Sequence, residues 1–356
     1  MSSSITLKST AKWSLLFLFA WSISVVGQCN QPLYADGASA PTQNHQQIYQ
    51  ANYVPVNSGE FLQGLLLVHV KFNGAQEATF FLDVGTTQSI ISAEMAKRLG
   101  LPLKPAINDF GKPVFWRGKP MTMIVPDSME VGHLTFTKSP LLVLNAKEFV
   151  LSNGFSKITY DGVLGANYLE HFALIIDPVQ HTLGFALPGS LLPEQVRLLG
   201  LMQPAVVSIS KTEKGWFAQG QFTEGGITKS DTVLIDTGAS SSGIAEKLAQ
   251  QLHLKTLSQE KQTSLDETKN VSRTNVGSLV VGSLALSNVS MLVHPTPKGD
   301  PSLHVADPSS SIGMDILSQY RVILDFPGGK MYLQPLPPPV HKITIGSGTV
   351  PPAPTP

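Results

Sequence analysis

Apolar and polar positions alternate in two separate stretches of the chain, and each stretch leads through a turn signal into a short apolar run. Residues 65–72 alternate before Asn73-Gly74, a dipeptide typical of a tight hairpin turn, and a β-rich run then ends at Leu82. Residues 216–222 and 232–235 repeat this order around a pair of glycines. The pattern predicts two similar β-hairpins, each ending in an apolar strand.

A short helix is predicted after each of these hairpins. Ser92 suits the N-cap position, an apolar stripe follows over residues 95–99, and Gly100 is a typical C-terminal stop. Residues 244–252 form the counterpart in the second half of the chain. Each half is therefore predicted to be mostly β, with one or two short helices.

The chain repeats itself, which indicates an internal duplication. Three blocks match in the same order, at offsets of 153, 150 and 148 residues: 80–86 with 233–239, 131–134 with 281–284, and 162–169 with 310–317. Three colinear matches make coincidence a poor explanation. We therefore expect two lobes with the same internal architecture.

The length and composition allow two domains of ordinary size. The chain has 356 residues, of which 42% are hydrophobic and 14% charged. The predicted lobes span residues 56–188 and 204–336, with a linker at 189–203. Residues 28–55, rich in Gln, Asn and Ala, are predicted to form a spacer, and residues 337–356, rich in Pro, Gly and Thr, an extended tail.

The N-terminus has the pattern of an export signal. Lys8 and Lys12 precede an uncharged, mostly apolar run at residues 13–26, which is the length of a secretory h-region and short for a membrane span. Residues 1–27 are therefore predicted to be a signal peptide, cut after Gly27, and the protein to be periplasmic or secreted. The alternative is an uncleaved segment that anchors the protein in a membrane.

Charge and metal-ligating residues point away from several classes of function. Lysine plus arginine equals aspartate plus glutamate, 25 of each, so no nucleic-acid partner is predicted. The nine histidines lack metal-ligand spacing, and the single cysteine has no partner for a disulfide. The serine-rich run 240–242 lacks the Gly-x-Ser-x-Gly pattern of a serine hydrolase. We predict no metal and no cofactor.

Two aspartates follow the apolar strands directly, in the pattern Asp-x-Gly. They are Asp83 and Asp236, and the glycines allow each loop to turn tightly and to approach a partner loop. Two such loops can bring their carboxyl groups within hydrogen-bond distance, where like-charge repulsion makes them share one proton. The ionised carboxylate then acts as general base on a water, and the protonated one donates to the substrate carbonyl. This chemistry predicts peptide hydrolysis.

Together these motifs resemble the retropepsin/pepsin-like aspartic peptidase family, in a bilobal, exported form. The resemblance implies a mostly β fold of two pseudo-symmetric retropepsin-like β-barrel lobes with short helices, and it makes Asp83 and Asp236 the catalytic pair. It also implies loop-supporting roles for Val84, Gly85, Thr86, Thr237, Gly238 and Ala239, and a glycine strand beneath each loop at Leu164, Gly165, Ile312 and Gly313.

The first loop departs from the family pattern, which has threonine or serine after the aspartate. Val84 keeps the shape of threonine but has no hydroxyl, so Thr237 can bond across to the first loop while the reciprocal bond is missing. Such a loss costs about 1 kcal/mol, and about 1 to 3 kcal/mol if a backbone donor stays buried and unpaired. Two functions therefore stay open: an endopeptidase acting on peptides or unfolded protein, and a non-catalytic peptide-binding relative.

Some candidate residues also have ordinary structural interpretations. Asp83 and Asp236 could each satisfy the amides of their own turn without any catalytic role. Trp116 lies in a turn-rich stretch and could be the aromatic of a flap over the substrate, or an ordinary surface or core aromatic.

Overall fold

The computed structural model describes most of the two predicted lobes. The described residues are 48–56, 65–107, 111–116, 119–145, 149–152, 157–189, 191, 193–263, 268–295 and 310–336. The predicted signal peptide, the predicted tail and the first part of the predicted spacer lie outside these residues.

The first lobe is built mainly from strands. In chain order they are β1 Ile48–Val56, β2 Leu65–Phe72, β3 Gln76–Asp83, β4 Ile90–Ser92, β5 Lys104–Pro105, β6 Phe115–Trp116, β7 Lys119–Pro120, β8 Thr122–Ile124, β9 Ser128–Val131, β10 Leu134–Thr137, β11 Leu141–Leu144, β12 Phe149–Ser152, β13 Lys157–Tyr160, β14 Gly162–Gly165, β15 Ala173–Asp177 and β16 Thr182–Ala186.

The second lobe repeats this arrangement with fewer, longer strands. They are β17 Ala205–Ser208, β18 Ser210–Thr212, β19 Gly215–Glu224, β20 Ile227–Ile235, β21 Gly243–Ala245, β22 Ser258–Thr263, β23 Thr268–Val281, β24 Leu284–His294, β25 Ser310–Ile312, β26 Tyr320–Asp325 and β27 Lys330–Pro335. The helices of the described residues are α1 Ala93–Leu99, α2 Ala166–Leu169, α3 Pro193–Leu198, α4 Glu246–Gln251 and α5 Met314–Leu317. The predicted mostly β fold of two pseudo-symmetric lobes is confirmed.

Each lobe contains the same arrangement of three paired strands. In the first lobe β14 runs parallel to β3 and antiparallel to β4, so it lies between them. In the second lobe β25 lies between β20 and β21 in the same way. The strand that leads into each aspartate is therefore held in place by a strand from the far end of its own lobe.

A sheet formed by both lobes joins them. β15 of the first lobe pairs antiparallel with β26 of the second, and the neighbouring strands extend the sheet in the order β17, β27, β26, β15, β16, β1. The hairpins β15–β16 and β26–β27 each lie near the end of their own lobe. They also connect the two lobes, because β15 of one hairpin pairs with β26 of the other. No local sequence pattern predicts a pairing between residues so far apart in the chain.

The predicted helix after the first aspartate loop is confirmed, including its ends. The Ser92 side chain accepts a hydrogen bond from the Met95 amide at 3.1 Å, which is the bond of an N-cap. Gly100 ends the helix with a φ of 65°, a left-handed conformation that favours glycine. The buried side chains of this helix face the core of the first lobe.

The predicted spacer and the predicted linker both contain regular secondary structure. All but the last residue of β1 lies within residues 28–55, where a spacer was predicted, and β1 pairs with β16 and β2. Five of its nine residues are Ile, Tyr or Val, which favour strands, so a strand signal was present in the sequence and was overlooked. The predicted linker 189–203 contains α3, whose Val196 side chain packs against the sheet that joins the lobes.

No helix of the described residues is long and apolar enough to cross a membrane. Within that same part of the chain, no group of three or more His, Cys, Asp or Glu side chains is arranged to hold a metal ion.

Candidate active site

The two Asp-x-Gly loops occupy equivalent places in the two lobes. Asp83 is the last residue of β3 and pairs with Gly165 on β14. Asp236 follows the end of β20, and its amide donates to the carbonyl of Ile312 on β25 at 3.0 Å. Both loops therefore leave the sheet beside the strand that crosses beneath them.

The loops face each other across the boundary between the lobes. A Cβ atom on Gly85 would collide with the carboxyl group of Asp236, and one on Gly238 would collide with that of Asp83. The two carboxyl groups lie close enough for each to affect the pKa of the other. The structure thus brings together the two aspartates that the sequence paired, and glycine is required beside each because no side chain fits there.

The Asp83 carboxyl group has three donors in its own loop. The amides of Gly85 and Thr86 donate to Oδ1 at 2.8 and 3.1 Å, and the Thr86 hydroxyl donates to Oδ2 at 2.6 Å. Burial raises the pKa of Asp83 above its usual value, and these three donors oppose that rise because they favour the ionised form.

The Asp236 carboxyl group has fewer donors. The Gly238 amide donates to Oδ1 at 2.9 Å, and the Ala239 amide also donates, but alanine has no hydroxyl to match that of Thr86. Burial and, to a smaller extent, the nearby charge of Asp83 together raise the pKa of Asp236 to about 8. Asp236 is therefore the member of the pair that holds the proton more tightly.

One hydroxyl links the two loops. The Thr237 hydroxyl accepts from the Val84 amide at 3.0 Å and donates to the Leu82 carbonyl at 3.2 Å, so it joins the second lobe to the first. Both Thr237 and Val84 are completely buried. Val84 has no hydroxyl to return the interaction, as the sequence predicted.

The glycine strands lie directly under the aspartate loops. A Cβ on Gly165 would collide with the Gln88 and Thr86 carbonyls, and one on Gly313 with the backbone of Ala239 and Ser241. Leu164 and Ile312, the residues before these glycines, are completely buried in the core.

A polar bridge that the sequence analysis missed ties each loop to the helix after the glycine strand. In the first lobe the Ser89 amide and hydroxyl both donate to Asn167 Oδ1 at 2.8 Å, and the Gly165 amide donates to the Ser89 hydroxyl at 2.8 Å. The internal repeat aligns Asn167 with Asp315, and that alignment was the available signal.

The second lobe makes the same bridge with a carboxyl group. The Ser242 amide and hydroxyl donate to Asp315 Oδ1 at 2.9 and 2.6 Å, and the Gly313 amide donates to the Ser242 hydroxyl at 3.0 Å. Burial raises the pKa of Asp315. Identical geometry from an amide and from a carboxyl group indicates that the bridge supports the loop in both lobes.

An aromatic cluster beside Asp83 was also not predicted. The Tyr160 ring lies 5.7 Å from the Phe81 ring and 5.3 Å from the Phe149 ring, centroid to centroid. All three side chains are buried. Burial raises the pKa of Tyr160, and the charge of Asp83 adds to the rise, so the phenol stays protonated close to the aspartate.

A second connection between the lobes involves Glu170 at the end of α2. Its carboxylate accepts from the Lys211 ammonium at 2.6 Å and from the Trp216 indole at 3.2 Å, and both donors belong to the second lobe. The repeat places Ser318 opposite Glu170, so this contact has no symmetric copy.

Trp116, the candidate flap aromatic, lies in a small hairpin of the first lobe. Its backbone pairs with Lys119 between β6 and β7, after the helix that follows the Asp83 loop. The position of its side chain lies outside the described structure, so its role as a flap residue stays a prediction.

Comparison with known proteins identifies the family. A model of the aspartyl protease family matches residues 68–168 and again residues 222–316. Together the two matches cover more than half of the chain, one in each lobe. The chain belongs to the aspartyl protease family.

Two solved structures are similar to this chain. A retropepsin-like aspartic protease from Rickettsia conorii is 17% identical, with a TM-score of 0.28, and the match covers 40% of this chain and 94% of that one. An aspartic proteinase from Irpex lacteus is 11% identical, with a TM-score of 0.44, and the match covers 81% of this chain and 97% of that one. No curated protein matched the chain.

Proposed function

We propose that the protein is an aspartic endopeptidase that hydrolyses peptide bonds with a water activated between Asp83 and Asp236. The observation that carries the proposal is the close approach of these two carboxyl groups, on two loops whose glycines leave room for it. A shared proton between paired carboxyl groups is the state that general acid–base hydrolysis requires.

The unequal donors support a different role for each aspartate. Asp83, with two amides and a hydroxyl directed at it, is the ionised member and takes a proton from the attacking water. Asp236, with the higher proton affinity, donates to the carbonyl oxygen of the peptide bond. When the carbon–nitrogen bond breaks, the proton that Asp83 received passes to the leaving nitrogen. A hydroxyl of the tetrahedral intermediate returns its proton to Asp236, so the pair regains its starting state.

The second candidate is a peptide-binding protein without activity, and Val84 is the observation that favours it. The missing hydroxyl removes one of the bonds that would hold the two loops in register. The bond from the Val84 amide to Thr237 remains and keeps the loops in contact, which supports the active form.

The proposed substrate is an extended peptide or unfolded protein met outside the cytoplasm. Export rests on the leader at residues 1–27, with membrane anchoring through an uncleaved leader as the alternative. N-terminal sequencing of exported protein should find a start after Gly27. Soluble cytosolic protein with Met1 intact would contradict export.

The activity test uses the purified protein with a reduced, unfolded protein as substrate, from about pH 3 to pH 8. We expect fragments, read by mass spectrometry, whose formation is blocked by a statine-type inhibitor because its hydroxyl mimics the tetrahedral intermediate between the two carboxyl groups. An absence of fragments at every pH, together with tight inhibitor binding, would favour the peptide-binding function.

A further inference from the structure

The two lobes present chemically different walls beside their aspartates. The first wall is Phe81, Ile90 and Val163, with Val163 paired between the other two. The second wall is Leu234, Gly243 and Ser311, with Ser311 paired in the same way. The repeat offsets of 153 and 148 residues make these positions equivalent. Three apolar side chains in one lobe therefore correspond to a leucine, a glycine and a serine in the other.

The first wall faces the catalytic side of its sheet. Phe81 lies two residues before Asp83 on β3, and side chains two apart point to the same face of a strand. Tyr160 contacts the Phe81 ring, and the charge of Asp83 contributes to the raised pKa of Tyr160. Val163 shares this face because it is directly paired with Phe81.

The second wall faces the catalytic side for the same reason. Leu234 precedes Asp236 by two residues, and its Cδ1 atom lies 3.0 Å from the Cβ position of Gly215. The Gly85 carbonyl of the first aspartate loop lies 3.9 Å from that same position. Leu234 is thus directed toward the opposite loop, and Ser311 is its paired neighbour.

The Ser311 hydroxyl is buried and has no hydrogen-bond partner within the described part of the chain. The Ser311 side chain is only 2% exposed. The nearby buried serines differ, since Ser242 bonds to Asp315 and Ser310 bonds to Asp231. An unsatisfied buried hydroxyl opposes folding, and valine, which the first lobe has at the equivalent position, does not carry that cost. The Ser311 hydroxyl is therefore not explained by the stability of the fold, and a bound ligand is a candidate partner for it.

A second polar group lies on this wall. The imidazole of His294 occupies the space where a Cβ on Gly243 would be, and that is the side toward Ser311 because Gly243 and Ser311 are directly opposed. Opposed side chains are about 5 Å apart at their Cβ atoms. The equivalent residue of the first lobe is Leu144, so this position also changes from apolar to polar.

We propose that Ser311 is a specificity-determining residue, and that the wall beside Asp236 binds a small hydrogen-bonding substrate side chain such as that of threonine, serine or asparagine. The wall beside Asp83 binds an apolar side chain. The preferred scissile bond then joins one apolar and one small polar residue. Contact with Ser311 requires a shift of the half-buried Leu234 side chain when substrate enters. The inference rests on the proposed peptidase function.

The test compares peptides that differ only by threonine or valine, since these side chains share a shape and differ in the hydroxyl. One flank of the scissile bond is held as phenylalanine, the other is Thr or Val, and both chain directions are made. We expect wild-type kcat/KM to favour Thr by about threefold to tenfold in one direction, the range of one hydrogen bond. Ser311→Val should bring the ratio to one or below.

Two further variants keep the result interpretable. Ser311→Ala removes the hydroxyl without adding methyl groups and should also lose the Thr preference. Val163→Ser makes the mirror change on the first wall and should create a Thr preference at the opposite flank. Melting temperatures check that each variant folds, and Ser311→Val should melt no lower than wild type. An unchanged Thr-to-Val ratio in folded Ser311→Val overturns the proposal.

If no peptide is cut, the proposed function fails, and the same peptides then report on the wall by binding. Fluorescence anisotropy of labelled Thr and Val peptides would show a Thr preference that Ser311→Val loses. Equal binding of the Thr and Val peptides to wild type would contradict the proposed role of Ser311, whether or not the protein has peptidase activity.

Discussion

The two aspartate loops each contain one threonine hydroxyl, but at different places and with different tasks. In the first loop Thr86 donates to the carboxylate of its own loop at 2.6 Å. In the second loop Thr237 bonds across to the backbone of the first lobe, and Ala239 leaves its carboxyl group without a hydroxyl donor. The first loop thus stabilises a charge, and the second loop holds the lobes together. The two copies of the duplicated motif therefore have different structural roles.

The largest expected effect comes from removing either carboxyl group. Asp83→Asn and Asp236→Asn each abolish the shared proton, so activity on unfolded protein should fall by a factor on the order of 10² to 10⁴. The exposed Asp127→Asn serves as the matched control and should keep wild-type activity. A variant at Asp83 that retained activity would show that the pair has been assigned wrongly.

A methyl group on Gly238 should separate the loops. The added Cβ would overlap the Asp83 carboxyl group, so Gly238→Ala should lower kcat/KM by about a hundredfold, the effect of a displacement near 1 Å at a catalytic site. Gly277→Ala is the control, because its Cβ would meet mainly the flexible Glu224 side chain. Equal activities of the two variants would contradict the close approach of the loops.

Restoring the missing hydroxyl should stabilise the contact between the two aspartate loops. Val84→Thr gives the Thr237 amide an acceptor and should raise the free energy of unfolding by about 1 to 3 kcal/mol, measured by denaturant titration. Activity should rise by up to about tenfold if the gain falls in the transition state. Val84→Ala removes volume without adding a hydroxyl and should lower stability. An inactive wild type that stays inactive as folded Val84→Thr favours the peptide-binding function.

The smallest expected effect is a shift of the pH profile. Activity requires Asp236 protonated, so it should fall as the pH rises through the pKa of Asp236, which is about 8. Ala239→Thr adds a hydroxyl donor like that of Thr86, which favours the ionised form and lowers this pKa. The alkaline limb of the kcat/KM profile should move to lower pH, while the acid limb, set by Asp83, stays. An alkaline limb that moves upward would contradict the assignment.

The features that the sequence predicted are those with local signals. The strands into the aspartates, the Ser92 cap and the glycines beneath the loops each follow from a few neighbouring residues and the internal repeat. β1 was missed because its segment was interpreted from the overall Gln, Asn and Ala content of residues 28–55, although five of the nine residues of β1 are the strand formers Ile, Tyr and Val. The pairing of β15 with β26 joins residues about 150 positions apart, which no local pattern encodes.

The parts of the site that the sequence did not predict depend on contacts between distant residues. Asn167 and Asp315 were inside a recognised repeat, yet their role shows only when Ser89 and Ser242 are placed against them. Nothing in the sequence around Tyr160 distinguishes it from other aromatic residues, and its position beside Phe81 is visible only in the folded structure. The repeat could have suggested the first pair, but it could not have suggested the aromatic cluster.

The central claim is that Asp83 and Asp236 share one proton, and carboxyl-carbon NMR of protein with ¹³C-labelled aspartate tests it without any substrate. We predict two coupled steps, the upper one near pH 8. Asp83→Asn should move the upper step to lower pH because it removes the partner charge, and Asp236→Asn should remove that step because it removes the titrating group. Two carboxyl groups that titrate independently near the usual value of 3.8, unaffected by the loss of their neighbour, would contradict the account.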